Sequence, residues 1–418
     1  MAWTAWILAG ICALGVAARA EQGVNTEDAE LARLIDGLLA RHRASIEANR
    51  TVEVTFRATP GAAVRVRQAR HAFPFGTAIN RHGFVPNNRI GPADQERYRQ
   101  TVRANFNSVV HENAMKWYAN ERRRGEVTFA DADRMLDWAE THGLHTRGHC
   151  VFWADEDKVQ PWVRALDDDA LRAALRQRAR DYMEHFRGRV PEHDVKNEML
   201  HHSYFSDRLG PDTRRQIFAW CRAHDPEAIL YVNDYNILAG GQTERYVEQI
   251  AGFLAAGMPV GGIGVQGHFG GRIDGDEVWR KLDLLAQFGL PIKVTEFDAN
   301  TPDETAKATV LATLYITAFA HPAVEGITMW GFWENRHWRP DAALWRADWT
   351  KTPAARVYRD LVFNRWWTDE DAVADADGLV RLRLFHGEHD VTVNGHTHRI
   401  AVGRESGATV IDLPAAAP

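Results

Sequence analysis

The sequence predicts an α/β protein built on a (β/α)8 barrel, with a small N-terminal cap and a small C-terminal β-rich domain. Three observations lead there. Between residues 73 and 365 a short apolar segment followed by an amphipathic one recurs eight times. Polar residues gather at the C-terminal ends of most of the apolar segments, where a parallel barrel exposes its working face. No Gly-rich phosphate fingerprint opens a helix, which argues against an open doubly wound sheet.

Taken in order, residues 1–20 read as a secretory signal. Trp6 to Ala18 is nearly continuous apolar sequence, too short for a membrane span, and Ala18-Arg19-Ala20 offers a cleavage site before Glu21. The segment has no positive n-region, and Cys12 lacks the surroundings of a lipidated cysteine. The cap, residues 21–72, begins with a helix over Glu27 to Asn49, striped by Leu31, Leu34, Ile35, Leu38 and Leu39. A β-hairpin is expected next, its strands Thr51 to Phe56 and Ala63 to Gln68 joined by the turn Thr59-Pro60-Gly61.

Eight barrel strands are expected at Phe73 to Asn80, Phe106 to Asn113, Leu144 to Trp153, Glu192 to Met199, Ile229 to Asn236, Gly262 to Phe269, Pro291 to Asp298 and Glu325 to Trp333. Helical periodicity lies between them, as at Asp131 to His142, Asp167 to Arg187, Asp212 to His224, Asp276 to Phe288 and Pro302 to Ala320. Beyond the barrel (73–365), residues 366–418 change character. Leu379 to Phe385, Asp390 to Asn394, Arg399 to Val402 and Thr409 to Leu413 read as short strands with Gly turns, and no low-complexity linker sets them apart.

Composition narrows the function. A chain of 418 residues with 45% hydrophobic content buries a large core, and a net charge of -6 argues against a nucleic-acid surface. The 15 Trp residues suit stacking on sugar rings, although many Trp residues are ordinary core. Once residues 1–20 are set aside, Cys150 and Cys221 remain, too few for a disulfide scaffold.

Two apolar segments end in glutamates, Glu198 and Glu296. On one barrel face they would stand as a carboxylate pair flanking a glycosidic bond. The other strand ends add Glu112, Asn113, Lys116 and Trp117; Arg147, His149 and Trp153; Asn197; Asn233 to Asn236; Gln266 and His268; Asp298; and Trp330, Trp333 and Trp338. Each alone is an ordinary loop residue. Together on one face they make a polar cleft with aromatic walls, as a row of sugar hydroxyls requires.

This ordered set resembles glycoside hydrolase family 10, the retaining endo-β-1,4-xylanases. The resemblance rests on Glu112-Asn113-x-Met115-Lys116-Trp117, Arg147-Gly148-His149, Asp194-Val195-x-Asn197-Glu198, Asn233-Asp234-Tyr235-Asn236, Gln266-Gly267-His268, Thr295-Glu296-x-Asp298, and Trp330-Gly331 with Trp338-Arg339. Phe73-Pro74-Phe75-Gly76 with its preceding strands, and the β-rich tail, resemble the plant-type branch.

The resemblance implies Glu296 as nucleophile and Glu198 as acid/base, with His268 bonded to Glu296, Asp298 orienting His268, and Asn197 on the sugar 2-hydroxyl. It implies that Glu112, Asn113, Lys116, His149, Trp153 and Gln266 line the glycone side, that Trp330 and Trp338 wall it, and that Tyr235 and Asn236 face the leaving group. The negative charge of Glu296 is expected to raise the pKa of Glu198. No cofactor or metal is required. The partner is a polysaccharide, xylan or a related β-linked glycan, with no nucleic acid, no stable membrane association and a monomeric enzyme. Two other readings remain: a retaining glycosidase for another β-linked glycan, and a non-catalytic carbohydrate-binding protein on a glycosidase barrel.

Three positions depart from the family pattern: Lys196 two residues before Glu198, His193 in place of a Trp, and His111 before Glu112. Strand alternation puts Lys196 on the face of Glu198, where an ammonium would favour the ionised acid unless it turns away or pairs with Asp194. In the tail, His386, His389, His396 and His398 have the spacing of a solvated hairpin, and no Cys accompanies them as a zinc ligand.

Overall fold

The computed structural model describes residues 26–406 and 409–413, so the expected export segment lies outside the described residues. Eight parallel strands close the barrel: Phe75–Ile79, Ser108–His111, His145–Trp153, Glu192–Asn197, Ile229–Asp234, Gly262–Val265, Ile292–Ala299 and Val324–Met329. The eighth pairs with both the seventh and the first, which completes the ring. A two-residue strand, His268–Phe269, runs beside the end of the seventh.

Parallel strands covered by helices are buried on both faces, and Ser108–His111, Glu192–Asn197 and Gly262–Val265 are buried throughout. Their polar residues therefore need partners inside the barrel. Arg147 pairs with Asp194 and lies over the Tyr231 ring, while Lys293 and His145 both reach Glu192. Gly148 is obligatory between Arg147 and His149, since a Cβ there would stand 2.1 Å from the His193 imidazole and 2.8 Å from the Tyr182 hydroxyl.

Aspartates start several barrel helices by accepting from backbone N–H groups: Asp167 for Asp168–Phe186, Asp274 for Gly275–Ala286 and Asp303 for Glu304–Ala320. Glu304–Ala320 is buried almost all round because the N-terminal helix Thr26–Arg50 and the helix Pro353–Asp360 pack on it. Arg50 locks this arrangement, donating from Nε to the Phe319 carbonyl and from Nη2 to those of His321 and Val324.

Cap and tail turn out to be one structure. Thr51–Arg57 and Ala63–His71 do not pair as the expected hairpin; each sits inside a different sheet otherwise made by the C-terminal strands, which supply its neighbours on both edges. Thr51–Arg57 lies between Leu379–Phe385 and Thr409–Asp412. Ala63–His71 lies between Asp369–Val373 and Gly387–Val393, with His396–Val402 at the edge. The two sheets share an apolar core that includes Val54, Phe56, Val64, Val66, Leu384 and Val391. Of the tail histidines, His389 points into this core while His396 is exposed. Among the described residues no cluster of metal-binding side chains forms, and Cys150 and Cys221 are separate buried thiols.

Candidate active site

The C-terminal ends of the strands surround a cleft of about 530 Å³. It is lined by Glu112, Asn113, Lys116, His149, Trp153, Asn197, Glu198, Tyr235, Asn236, Gln266, His268, Glu296, Trp330 and Trp338. Of the strand-end residues named from sequence, Asp298 is buried behind His268, and Trp117, Arg147, Asn233, Asp234 and Trp333 are likewise buried outside this lining.

Two residues brace the glutamates in opposite senses. Asn233 accepts the Glu198 N–H on its backbone carbonyl at 2.8 Å and donates its side-chain amide to Glu296 Oε1 at 2.9 Å. Gln266 accepts the Glu296 N–H on its carbonyl at 2.8 Å and donates its side chain to Glu198 Oε1 at 2.8 Å. Each carboxylate is thus placed by a residue that also holds the other's backbone. Asn233 is itself held by Thr295 Oγ1 at 2.6 Å, and its amide also reaches Asn197 Oδ1 at 2.9 Å.

Around Glu296, His268 Nε2 stands 3.5 Å from Oε2, and His268 Nδ1 is 3.0 Å from Asp298 Oδ2. Burial alone would lower the imidazolium pKa, but Asp298 and Glu296 together raise it to about 9. Trp338 Nε1 donates to Asp298 at 2.8 Å, and its ring lies edge-on to His268 at 5.0 Å. His149 bonds Asp194 at 2.9 Å and stands 3.9 Å from Glu296.

Around Glu198, Trp153 Nε1 donates to Oε2 at 2.6 Å, and His202 Nε2 stands 3.2 Å from the same oxygen. Burial pushes the carboxyl pKa up, but contacts from His202, Gln266 and Trp153 outweigh it and hold the value down to about 2. This corrects the expectation that Glu296 would raise it: three donors converge on Glu198, and their effect exceeds the cost of burying its charge.

For Lys196 the expected shared face with Glu198 does not hold, and of the alternatives it is bonded away instead of paired with Asp194. The strand ends at Asn197, its register slips between Asp194 and Lys196, and Glu198 has a left-handed φ of 60°, so alternation breaks before the acid. The fully buried Lys196 donates to the His202 carbonyl at 3.0 Å. Asp194 is occupied by Arg147 and His149. Burial brings the Lys196 ammonium down to about 7.

At the end of the second strand, Asn80 donates to Glu112 at 2.6 Å, and Tyr118 and Lys116 bond Asn113 at 2.7 and 3.3 Å. The Lys116 ammonium lies over Trp153 at 4.7 Å and Trp330 at 5.9 Å. On the opposite side Tyr235 stacks on His201 at 3.7 Å, and His201 bonds Asp234 at 2.7 Å. Sequence reasoning named Asn233 without giving it a role, and did not name Asn80, Tyr118 or His202. Asn233 lay inside a recognised motif, and His202, four residues after Glu198, had only its spacing to signal it.

A closed (β/α)8 barrel whose mouth holds two braced glutamates among Trp, Asn and Gln side chains has the architecture of the glycoside hydrolases. The chain belongs to glycosyl hydrolase family 10, whose sequence model matches residues 66–361. It is 40% identical over 324 residues to the anti-sigma-I factor RsgI6 of Acetivibrio thermocellus, a match covering 77% of this chain and 41% of that protein. It is 37% identical over 337 residues to endo-1,4-beta-xylanase 1 of Arabidopsis thaliana, covering 80% and 34% respectively. The chain therefore spans less than half the length of these relatives. Among solved structures, xylanase 10B from Thermotoga petrophila in complex with xylobiose superposes with a TM-score of 0.64 at 26% identity, covering 70% of this chain and 95% of that one. Native xylanase 10B from Thermotoga maritima gives 0.64 at 27% identity, covering 70% and 96%.

Proposed function

We propose that this chain is a retaining endo-β-1,4-xylanase that cleaves internal bonds of xylan by double displacement. The crossed bracing of Glu198 and Glu296 by Asn233 and Gln266 carries the reading, because a two-step displacement needs two carboxyl groups in one cleft in fixed mutual orientation. Glu296, backed by His268 and Asp298, attacks the anomeric carbon. Glu198 protonates the departing oxygen, then takes a proton from the water that releases the sugar. Asn197, at the cleft floor, meets the 2-hydroxyl. The xylanase relatives and the xylobiose complex support xylan as the polymer.

Hydrolysis of xylan, arabinoxylan, β-glucan and cellulose, with product sizes and early anomers resolved, tests this reading. Internal cleavage of xylan with retained configuration is expected, and Glu296→Ala and Glu198→Ala are expected to abolish it while preserving the fold. An inverted product, or wild-type turnover in either variant, overturns the assignment. Preference for glucans moves it to another β-linked polymer, and binding without cleavage moves it to a carbohydrate-binding protein. We also propose that residues 1–20 direct export, which N-terminal sequencing of the mature protein tests.

A further inference from the structure

Three side chains converge on Glu198, and they differ in what they can do with a proton. The Trp153 indole only donates, and the Gln266 amide neither gains nor loses a proton near neutrality. His202 can do both. Its place is built rather than incidental. Its N–H donates to the Glu198 carbonyl at 2.8 Å, closing a hydrogen-bonded turn that begins at the left-handed Glu198 and brings the two side chains together. Lys196, buried behind the turn, holds the His202 carbonyl from the other side at 3.0 Å. The imidazole Nε2 lies 3.2 Å from Glu198 Oε2, and the ring borders the cleft.

We propose that His202 and Glu198 act as one proton-sharing pair, in which His202 holds the proton that Glu198 delivers to the leaving oxygen. The proposal rests on the xylanase reading and deepens it. In the first step the Nε2 proton moves to Glu198 Oε2 and Glu198 passes a proton to the glycosidic oxygen as its bond to the anomeric carbon breaks. In the second step Glu198 removes a proton from water as oxygen bonds to the anomeric carbon and Glu296 leaves, and the proton returns to His202. Protons balance over the cycle, and His202 acts through Glu198 without touching the sugar.

The field around His202 favours holding a proton. Glu198 faces it from its own turn, Asp155 from the loop after the third strand and Asp234 from the end of the fifth; together they raise its imidazolium pKa against the opposing effect of burial. Glu156, Asp157 and Asp207 border the hollow beyond it. The cations nearby are Lys158 at the cleft rim, Arg208 across that hollow and Lys196 behind; His201 in the same hollow is bonded to Asp234. Without His202, Glu198 would lose its proton at a point set only by its burial and the bonds from Gln266 and Trp153, whereas the pair keeps one until the imidazole titrates.

The test compares pH profiles of kcat/KM for the full chain and its His202→Gln variant on two aryl β-xylobiosides. A phenyl leaving group needs protonation; a 2,4-dinitrophenyl group leaves without it. For the phenyl substrate the basic limb of His202→Gln is expected to fall by about one pH unit or more, with no such shift for the dinitrophenyl substrate. Coincident limbs in wild type and variant, or equal shifts on both substrates, overturn the proposal. Glu198→Ala, run alongside, separates it from the reading beneath. Wild-type phenyl xylobioside turnover in that variant removes the acid role itself, whereas loss there with an unmoved limb in His202→Gln removes only the pair.

Discussion

Asn233 and Gln266 cross-brace the site, each accepting the backbone N–H of one cleft glutamate while donating its side chain to the other. The two carboxylates cannot drift independently, because moving one strand end disturbs a hydrogen bond on both. Asn233→Ala removes the donor on Glu296 and leaves Thr295 Oγ1 without its acceptor. A bond to a charged group contributes about 1.5–3 kcal/mol, so kcat/KM on xylan is expected to fall roughly tenfold to a hundredfold. An unchanged kcat/KM in a folded variant rejects the brace.

The second prediction concerns His268 and pH. Its folded pKa, about 9, lies above the ordinary value of about 6.5. The imidazolium therefore contributes stability that is fully present below about pH 6.5 and is lost as pH rises through about 9. Thermal or urea unfolding between these limits should show a decline in wild type that His268→Gln lacks. Parallel curves for the two proteins contradict the raised value.

Below the cleft, Lys293 is a main counter-charge of the buried Glu192, which His145 and Arg147 also approach. Lys293→Met leaves that carboxylate short of compensation inside the barrel. Breaking a buried pair from one side costs about 3–5 kcal/mol, and a correspondingly lower melting temperature is expected. The paired change Lys293→Met with Glu192→Met should recover much of the loss, which calorimetry on both variants checks.

The mixed sandwich makes the tail structural. Truncation before Asp369 strips both sheets of their C-terminal strands and leaves Thr51–Arg57 and Ala63–His71, which do not pair with each other, as lone strands exposing Val54, Phe56, Val64 and Val66. Apolar strands with both edges unpaired are an aggregation template. The truncated chain is expected to elute as an aggregate in size-exclusion chromatography, and a monodisperse, fully stable product contradicts the shared core.

The sequence by itself determined the barrel and nearly all of the cleft. Alternating apolar and amphipathic segments are local patterns, and in a parallel barrel every strand's C-terminal end reaches the same face, so residues at those ends needed no contact information to be grouped. Tertiary structure alone decided three things. The two N-terminal strands pair with C-terminal strands instead of with each other because their apolar faces needed partners hundreds of residues away, and strand pairing over that distance leaves no local periodicity. Lys196 turns from Glu198 because a register slip and one left-handed residue break the alternation on which the sequence reading relied. The ionisation of Glu198 is set by His202, Gln266 and Trp153, which come from three strand ends and meet only when the barrel closes.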